Sequence, residues 1–403
     1  MGLSRVDTDG STWQHRIERS FERWARFIIR HRIAALVVSL GITALLLAQL
    51  PKLTIDNSPE ALLLDDDPSV VEYNAFRDQF GREDRLIVMV RTPDPFAPTF
   101  LEKLRKLHVA MESELPFVEE VDSLINARVV DGDEDGLVVG ELLEDWPSTP
   151  EGFEKIRAEA LSNPLYADTL LCADGSCTAL AIKPWTYSAS AADEDMLSGF
   201  EPAPADGTDR AKPAYLTQAE GESLMVALRA LLADYEAPDF ETHVAGVLAM
   251  THRINQGMAS DLAKFLPATL FVIAALLALI FRRAVAVVLP LMVVVLSLTA
   301  TLGLMIVLGI PGSTAVQILP VFLLTVGVCD AVHILAIAYQ RRAEGASRED
   351  AIAGAIGHTG LAVFMTSATT AAGMASFLTA EMGAVRDLGM LAPIGVGLAY
   401  VYT

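Results

Sequence analysis

At 403 residues the chain has room for two or three domains, and with 52% hydrophobic residues it is too apolar for an ordinary soluble protein. Acidic residues outnumber basic ones 51 to 30, and the surplus lies in one block: residues 51–262 hold 41 acids and 16 bases, the rest of the chain 10 and 14. Such a block excludes nucleic acid as a natural partner and disfavours docking on an anionic membrane surface; its simplest task is to keep a large aqueous domain in solution.

In chain order, residues 1–32 form a basic segment with Arg16, Arg19, Arg23, Arg26, Arg30 and Arg32. An uncharged run follows at 33–50 without a small-residue cleavage site after it, which predicts an uncleaved first transmembrane helix rather than a signal peptide.

Within the acidic block 51–262, "RLIVMVR" predicts a strand, 98–114 a helix and "VEEVDSLINARVV" a second strand. A helix near 149–162, a hairpin through "LCADGSCTALAIK", a helix over 215–235 and the strand "FETHVAGV" complete the expectation of an α+β domain of split βαβ units. Residues 188–213 are rich in Pro, Gly and acids and read as a flexible surface loop. "DGDEDG" (131–136) lacks the loop length and terminal Glu of a calcium site and reads as a solvated turn. His108 and His243 are isolated and carry no role. Cys172 and Cys177 flank a turn, where they form either a disulfide or two free thiols; Cys329, inside an apolar span, reads as packing. No spacing suits a metal, and no cofactor motif or nucleophile–base set is present, so no enzyme is expected.

Residues 263–403 hold five more apolar spans, at 265–281, 285–308, 315–339, 359–380 and 387–403, the last running to the end of the sequence. The charge-free stretch from Ala284 to Cys329 is too long for one crossing at about 1.5 Å per residue, and "GIPGS" (309–313) supplies its turn. Lys/Arg bias puts the N-terminus, the Arg282–Arg283 pair and the 341–348 loop on the cytoplasmic side, and the acidic block outside.

Asp330 stands near the middle of the 315–339 span, where an ionisable group costs several kcal/mol. His333 follows one turn later at i+3, and Gly327, one turn earlier, leaves that face open to a close neighbour. Either Asp330 is a hydrogen-bonded packing residue or it exchanges a proton; the cost of inserting a carboxyl group favours exchange. His333 is a relay partner or a satisfied polar residue. Thr366, Ser367, Thr369 and Thr370 on the next span favour helix packing over lining a proton path, and Arg386 and Asp387 favour interfacial anchoring.

One helix, a large βαβ insert, then five close helices with a mid-span Asp resembles one half of an RND-superfamily transporter. The residues that carry the likeness are "FGREDRLIVMV" (80–90), "HVAGVLAMTHRI" (243–254), "VGVCDAVHILAIAYQRR" (326–342), "TSATTAAGMASF" (366–377) and "RDLGMLAPIGVGLA" (386–399). The nearest branch is the MMPL and hydrophobe/amphiphile type, related through its helix cluster to sterol-sensing-domain proteins.

That resemblance implies a six-helix membrane bundle forming one RND repeat, with ferredoxin-like units of the insert in the periplasm of a bacterial inner membrane. It implies that Asp330 is the proton-relay acid, although Ala331 stands where an aromatic residue often follows that Asp. It also implies proton-driven export of a lipid-like molecule, a second RND half or another copy to complete the relay, and possible periplasmic accessory proteins. The chain is expected to be an N-terminal half. The competing expectations are a lipid- or sterol-sensing scaffold and a SecDF-like accessory of secretion.

Overall fold

The computed structural model describes residues 10–64, 66–133, 136–167, 169–172, 174–189 and 214–403. Most of the expected surface loop, 190–213, and Glu134 and Asp135 of the expected turn lie outside the described residues. Residues Asp66–Gln256 form one compact unit, and the segments on either side form another.

The chain opens with α1 (Gly10–Arg30) and α2 (Arg32–Leu47). The unit Asp66–Gln256 then runs α3 (Pro68–Phe80), β1 (Leu86–Arg91), α4 (Pro98–Glu114), β2 (Val118–Asp122), β3 (Arg128–Asp133) and β4 (Gly136–Glu141). It continues with α5 (Pro150–Ser162), β5 (Cys177–Pro184), α6 (Gln218–Tyr235) and β6 (Glu241–Ala245).

Local signals set these boundaries. Pro68, Pro98 and Pro150 each start a helix at a position where the missing N–H goes unused. Thr217 and Glu220 cap α6 reciprocally in a capping box.

The main sheet has four strands in the order β2-β5-β1-β6, every neighbouring pair antiparallel. Strand β1 alternates strictly, with Leu86, Val88 and Val90 buried. They pack with Leu180 and Ile182 of β5, Leu101, Leu104, Leu107 and Met111 of α4, and Leu224, Met225 and Leu228 of α6. Two helices therefore seal the sheet, and burying their apolar stripes is what holds the unit together.

The single strand expected over 118–130 is in fact two. Asn126 breaks it: its side chain accepts from Ser123 N and donates to Val121 O, both at 2.8 Å, turning the chain away from the sheet. β3 then pairs with β4 in a separate hairpin. Gly246 (φ +122°) ends β6, and a Cβ there would lie 2.7 Å from Arg85 O, so only glycine permits this approach.

The remaining helices are α7 (Val247–Phe281), α8 (Ala284–Val307), α9 (Leu319–Ala343), α10 (Arg348–Ala375) and α11 (Gly383–Tyr402). The boundary between the two units falls within α7. Among the described residues six helices are long and apolar enough to cross a membrane, those containing α2 and α7 to α11.

Two of them extend beyond the expected spans: α7 begins at Val247 rather than 265, and α10 at Arg348 rather than 359. Charged turns such as Arg253–Asp261 continue the same helix, because charge stops a hydrophobic run without stopping helical hydrogen bonding. Gly309 (φ +72°) closes α8 in the expected "GIPGS" turn.

Leu298 and Met305 of α8, Leu319 and Leu323 of α9, and Leu391 and Val396 of α11 form the bundle core. By contrast α2 and α7 turn large apolar side chains outward, among them Ile33, Leu36, Phe271 and Leu279. That suits helices solvated by acyl chains.

Candidate functional site

Asp330 is the twelfth residue of α9, about 17 Å along a helix of 25 residues. It is 3% exposed. Ser367 of α10 donates its Oγ–H to Asp330 Oδ2 at 2.8 Å, and both groups are buried.

One turn earlier, the missing side chain of Gly327 admits two other helices. A Cβ there would lie 3.0 Å from Val294 Cγ2 of α8 and 3.3 Å from Ala399 Cβ of α11. Close approach through small residues is how helices gain packing energy where the surroundings are as apolar as the side chains. Gly395 admits Leu323 in the same way, and Gly303 sits against the Leu46 carbonyl of α2. Asp330 is thus held where α8, α10 and α11 close around α9.

Of the four hydroxyl residues expected on α10, only Ser367 reaches across to Asp330. Thr366 donates to Val363 O, Thr369 to Met365 O and Thr370 to Thr366 O, each at 2.8 Å within its own helix. A hydroxyl satisfied by the preceding turn adds no link between helices. Buried Ser297 and Thr301 of α8 do the same, donating to Val294 O and Ser297 O.

His333 shares the helix but not the environment of Asp330. Residues three apart differ by about 60° around a helix, and here that offset carries the imidazole to an exposed position. The exposed stripe of α9 runs Thr325, Cys329, His333, Ala336 and Gln340. Cys329 is therefore exposed rather than packed, a correction that follows from its place four residues before His333. On α10, Thr366, Thr369 and Gly373 are exposed as well.

Elsewhere, Cys172 and Cys177 are joined as a disulfide with Cα atoms 5.3 Å apart, closing the turn before β5. His108 of α4, assigned no role from sequence, is buried with Nδ1 3.0 Å from Ser123 Oγ. Burial holds its imidazole below the ordinary value, against the opposing pull of the Glu112 carboxylate. Among the described residues, no cluster of His, Cys, Asp and Glu is arranged to hold a metal ion.

A bundle of apolar helices with a buried carboxyl at mid-span, joined to an α+β unit, defines a multi-span membrane protein. Residues 214–403 match the model of the MMPL family, and this stretch contains Gly327, Asp330 and Ser367. The chain is also 26% identical over 164 residues to a membrane protein of Methanocaldococcus jannaschii; the match covers 41% of this chain and 42% of that relative. These similarities support an MMPL/RND-type membrane protein. The chain thus spans less than half the length of the curated relative that it matches.

Proposed function

We propose that the protein forms part of a transporter that uses proton movement to export a hydrophobic or amphiphilic molecule, lipid-like rather than a soluble solute. The observation that carries this reading is the Asp330–Ser367 contact: a buried mid-helix carboxyl that meets a neutral hydroxyl rather than a cation. An ion without a counter-charge is costly in hydrocarbon. Exchange of a proton at Asp330 therefore requires water or a partner to move with it, which links a proton gradient to a change of shape. The MMPL match supports transport of hydrophobic substrates.

On this reading the unit Asp66–Gln256 is a ferredoxin-like porter unit on the periplasmic side of an inner membrane. Support comes from the strand order β2-β5-β1-β6, with α4 and α6 as the crossover helices, and from the placing of Lys and Arg along the sequence. The polar exposed stripe from Thr325 to Gln340 supports a further helix layer over α9, from a second RND half or a second copy, which would bring His333 into the relay. Periplasmic accessory proteins would act on the porter unit.

The test is Asp330→Asn in proteoliposomes under an imposed pH gradient. Export of an amphiphile should collapse while insertion and thermal stability persist. Gradient-driven export that survives in the Asn variant would sink the reading.

A further inference from the structure

Helix α1 has three distinct faces. Glu18, Phe21, Glu22 and Ala25 lie against α10, where a Cβ on Gly360 would meet the Phe21 ring at 2.8 Å and one on Gly357 would meet Glu22 Cβ at 3.1 Å. Arg26 ties the same contact by donating to Glu22 Oε1 and Asp350 Oδ1, both at 2.9 Å. One helix is therefore anchored on another along a defined stripe.

Among the described residues, the two other faces are exposed. Trp13 (46% exposed), Trp24 (53%) and Phe27 (59%) fall on a single arc of the helix. Arg16, Arg19, Arg23 and Arg30 fall on the adjoining arc, all exposed. Arg19 and Arg23 donate to the His15 and Arg19 carbonyls and to Ser20 Oγ. Among the described residues no carboxylate pairs with Arg19, Arg23 or Arg30. Between α1, α9 and α10 lies a cleft of about 450 Å³ lined by His15, Glu18, Arg19, Glu22, Arg341 and His358. Its two carboxylates are engaged, Glu22 by Arg26 and Glu18 by His15.

One residue, His31, separates α1 from the apolar helix α2. The C-terminal end of α1 is thereby fixed at the level where α2 enters hydrocarbon. Aromatic side chains beside arginines at that level match the two layers of a membrane surface, acyl boundary and phosphate.

We infer that α1 is a lipid-binding interfacial helix, with its aromatic arc in the acyl boundary and Arg19, Arg23, Arg30 and the Arg341 cleft holding phosphates of anionic phospholipids. The occupant is anionic lipid of the surrounding leaflet, because an uncovered aromatic arc needs apolar cover and the arginine arc beside it needs negative charge. A soluble phosphate would supply only the second. This inference is independent of proton coupling and of transport.

The experiment uses the full chain in nanodiscs, with Trp146 and Trp185 replaced by Phe so that Trp13 and Trp24 alone fluoresce. Quenching is compared between phosphatidylcholine and phosphatidylglycerol brominated at the same acyl position. Phosphatidylglycerol should quench preferentially, and raising the salt concentration should weaken the preference. Replacing Arg19, Arg23 and Arg30 with Gln should lower the preference by up to about fivefold for each arginine. Trp24→Ala with Phe27→Ala should instead reduce quenching by both lipids alike. Equal quenching of the parent protein by both lipids would overturn the inference. So would unquenched tryptophans, or a photo-reactive residue at position 24 that cross-links to a second copy. The salt series on the unaltered arginines keeps the question decidable should the triple variant fail to fold.

Discussion

Ser367 Oγ lies 2.8 Å from Asp330 Oδ2, joining the middle of α10 to the middle of α9. The two residues are 37 apart in sequence, and theirs is the hydrogen bond that links the buried carboxyl to a neighbouring helix among the described residues. Ser367→Ala leaves the carboxyl without that donor and should cost about 1–3 kcal/mol of stability. Ser367→Thr keeps the hydroxyl and should retain most of it. Thermal unfolding in nanodiscs separates the two; equal melting of the Ala and parent proteins would show that the contact contributes nothing.

Gly327 and Gly303 make a second prediction about packing. A Cβ on Gly303 would sit 2.5 Å from Leu46 O, a backbone atom that cannot swing aside, whereas one on Gly327 would meet side-chain carbons at 3.0 and 3.3 Å. Gly327→Ala should therefore be mild and Gly303→Ala severe. Forced overpacking costs about 1–3 kcal/mol, and the backbone clash should reach the upper end or exceed it. The ranking can be read from detergent-resistant folded fraction.

His108 gives a pH dependence with a defined sign. Its buried imidazole stays neutral to lower pH than an exposed one. The unfolded chain takes up that proton at about pH 6.5, before the folded unit does. Stability is then complete above that pH and declines as the pH falls below it, by at most about 1.4 kcal/mol per pH unit, until the folded-state value is passed. His108→Leu should flatten this part of the profile, as monitored by denaturant midpoints across the range; an unchanged slope would assign the acid sensitivity to other groups.

The disulfide between Cys172 and Cys177 closes a short loop ahead of β5, a strand that pairs on both edges. Chain-entropy arguments give such a loop about 2 kcal/mol of stabilisation. Reduction, or Cys172→Ser with Cys177→Ser, should lower the denaturant midpoint accordingly. A thiol titration should find Cys329 free before reduction and all three cysteines free after it.

Much of the architecture was legible because the physics behind it is local. Spans announce themselves by apolar length, strands such as Leu86–Arg91 by a short apolar run rich in β-branched residues, and helix starts by Pro68, Pro98, Pro150 and the Thr217–Glu220 box. The errors were local too. Asn126 broke an expected strand through two side-chain hydrogen bonds that the apolar pattern does not register.

The site was less legible. Asp330 was conspicuous by the cost of its charge, but nothing in the spacing distinguished Ser367 from Thr366, Thr369 and Thr370 as its partner. Nor did i+3 spacing reveal that His333 faces outward while Asp330 faces in.

The sequence by itself determined which segments are apolar enough for a membrane, where the acidic unit is inserted, and that a carboxyl group lies at mid-span. Only the tertiary structure decided what that carboxyl touches, which glycines admit a neighbouring helix, and that Arg26 reaches Asp350 across 324 residues. Periodicity reports the faces of one element, whereas contact depends on the rotation and depth of two, and those are set by packing over the whole bundle.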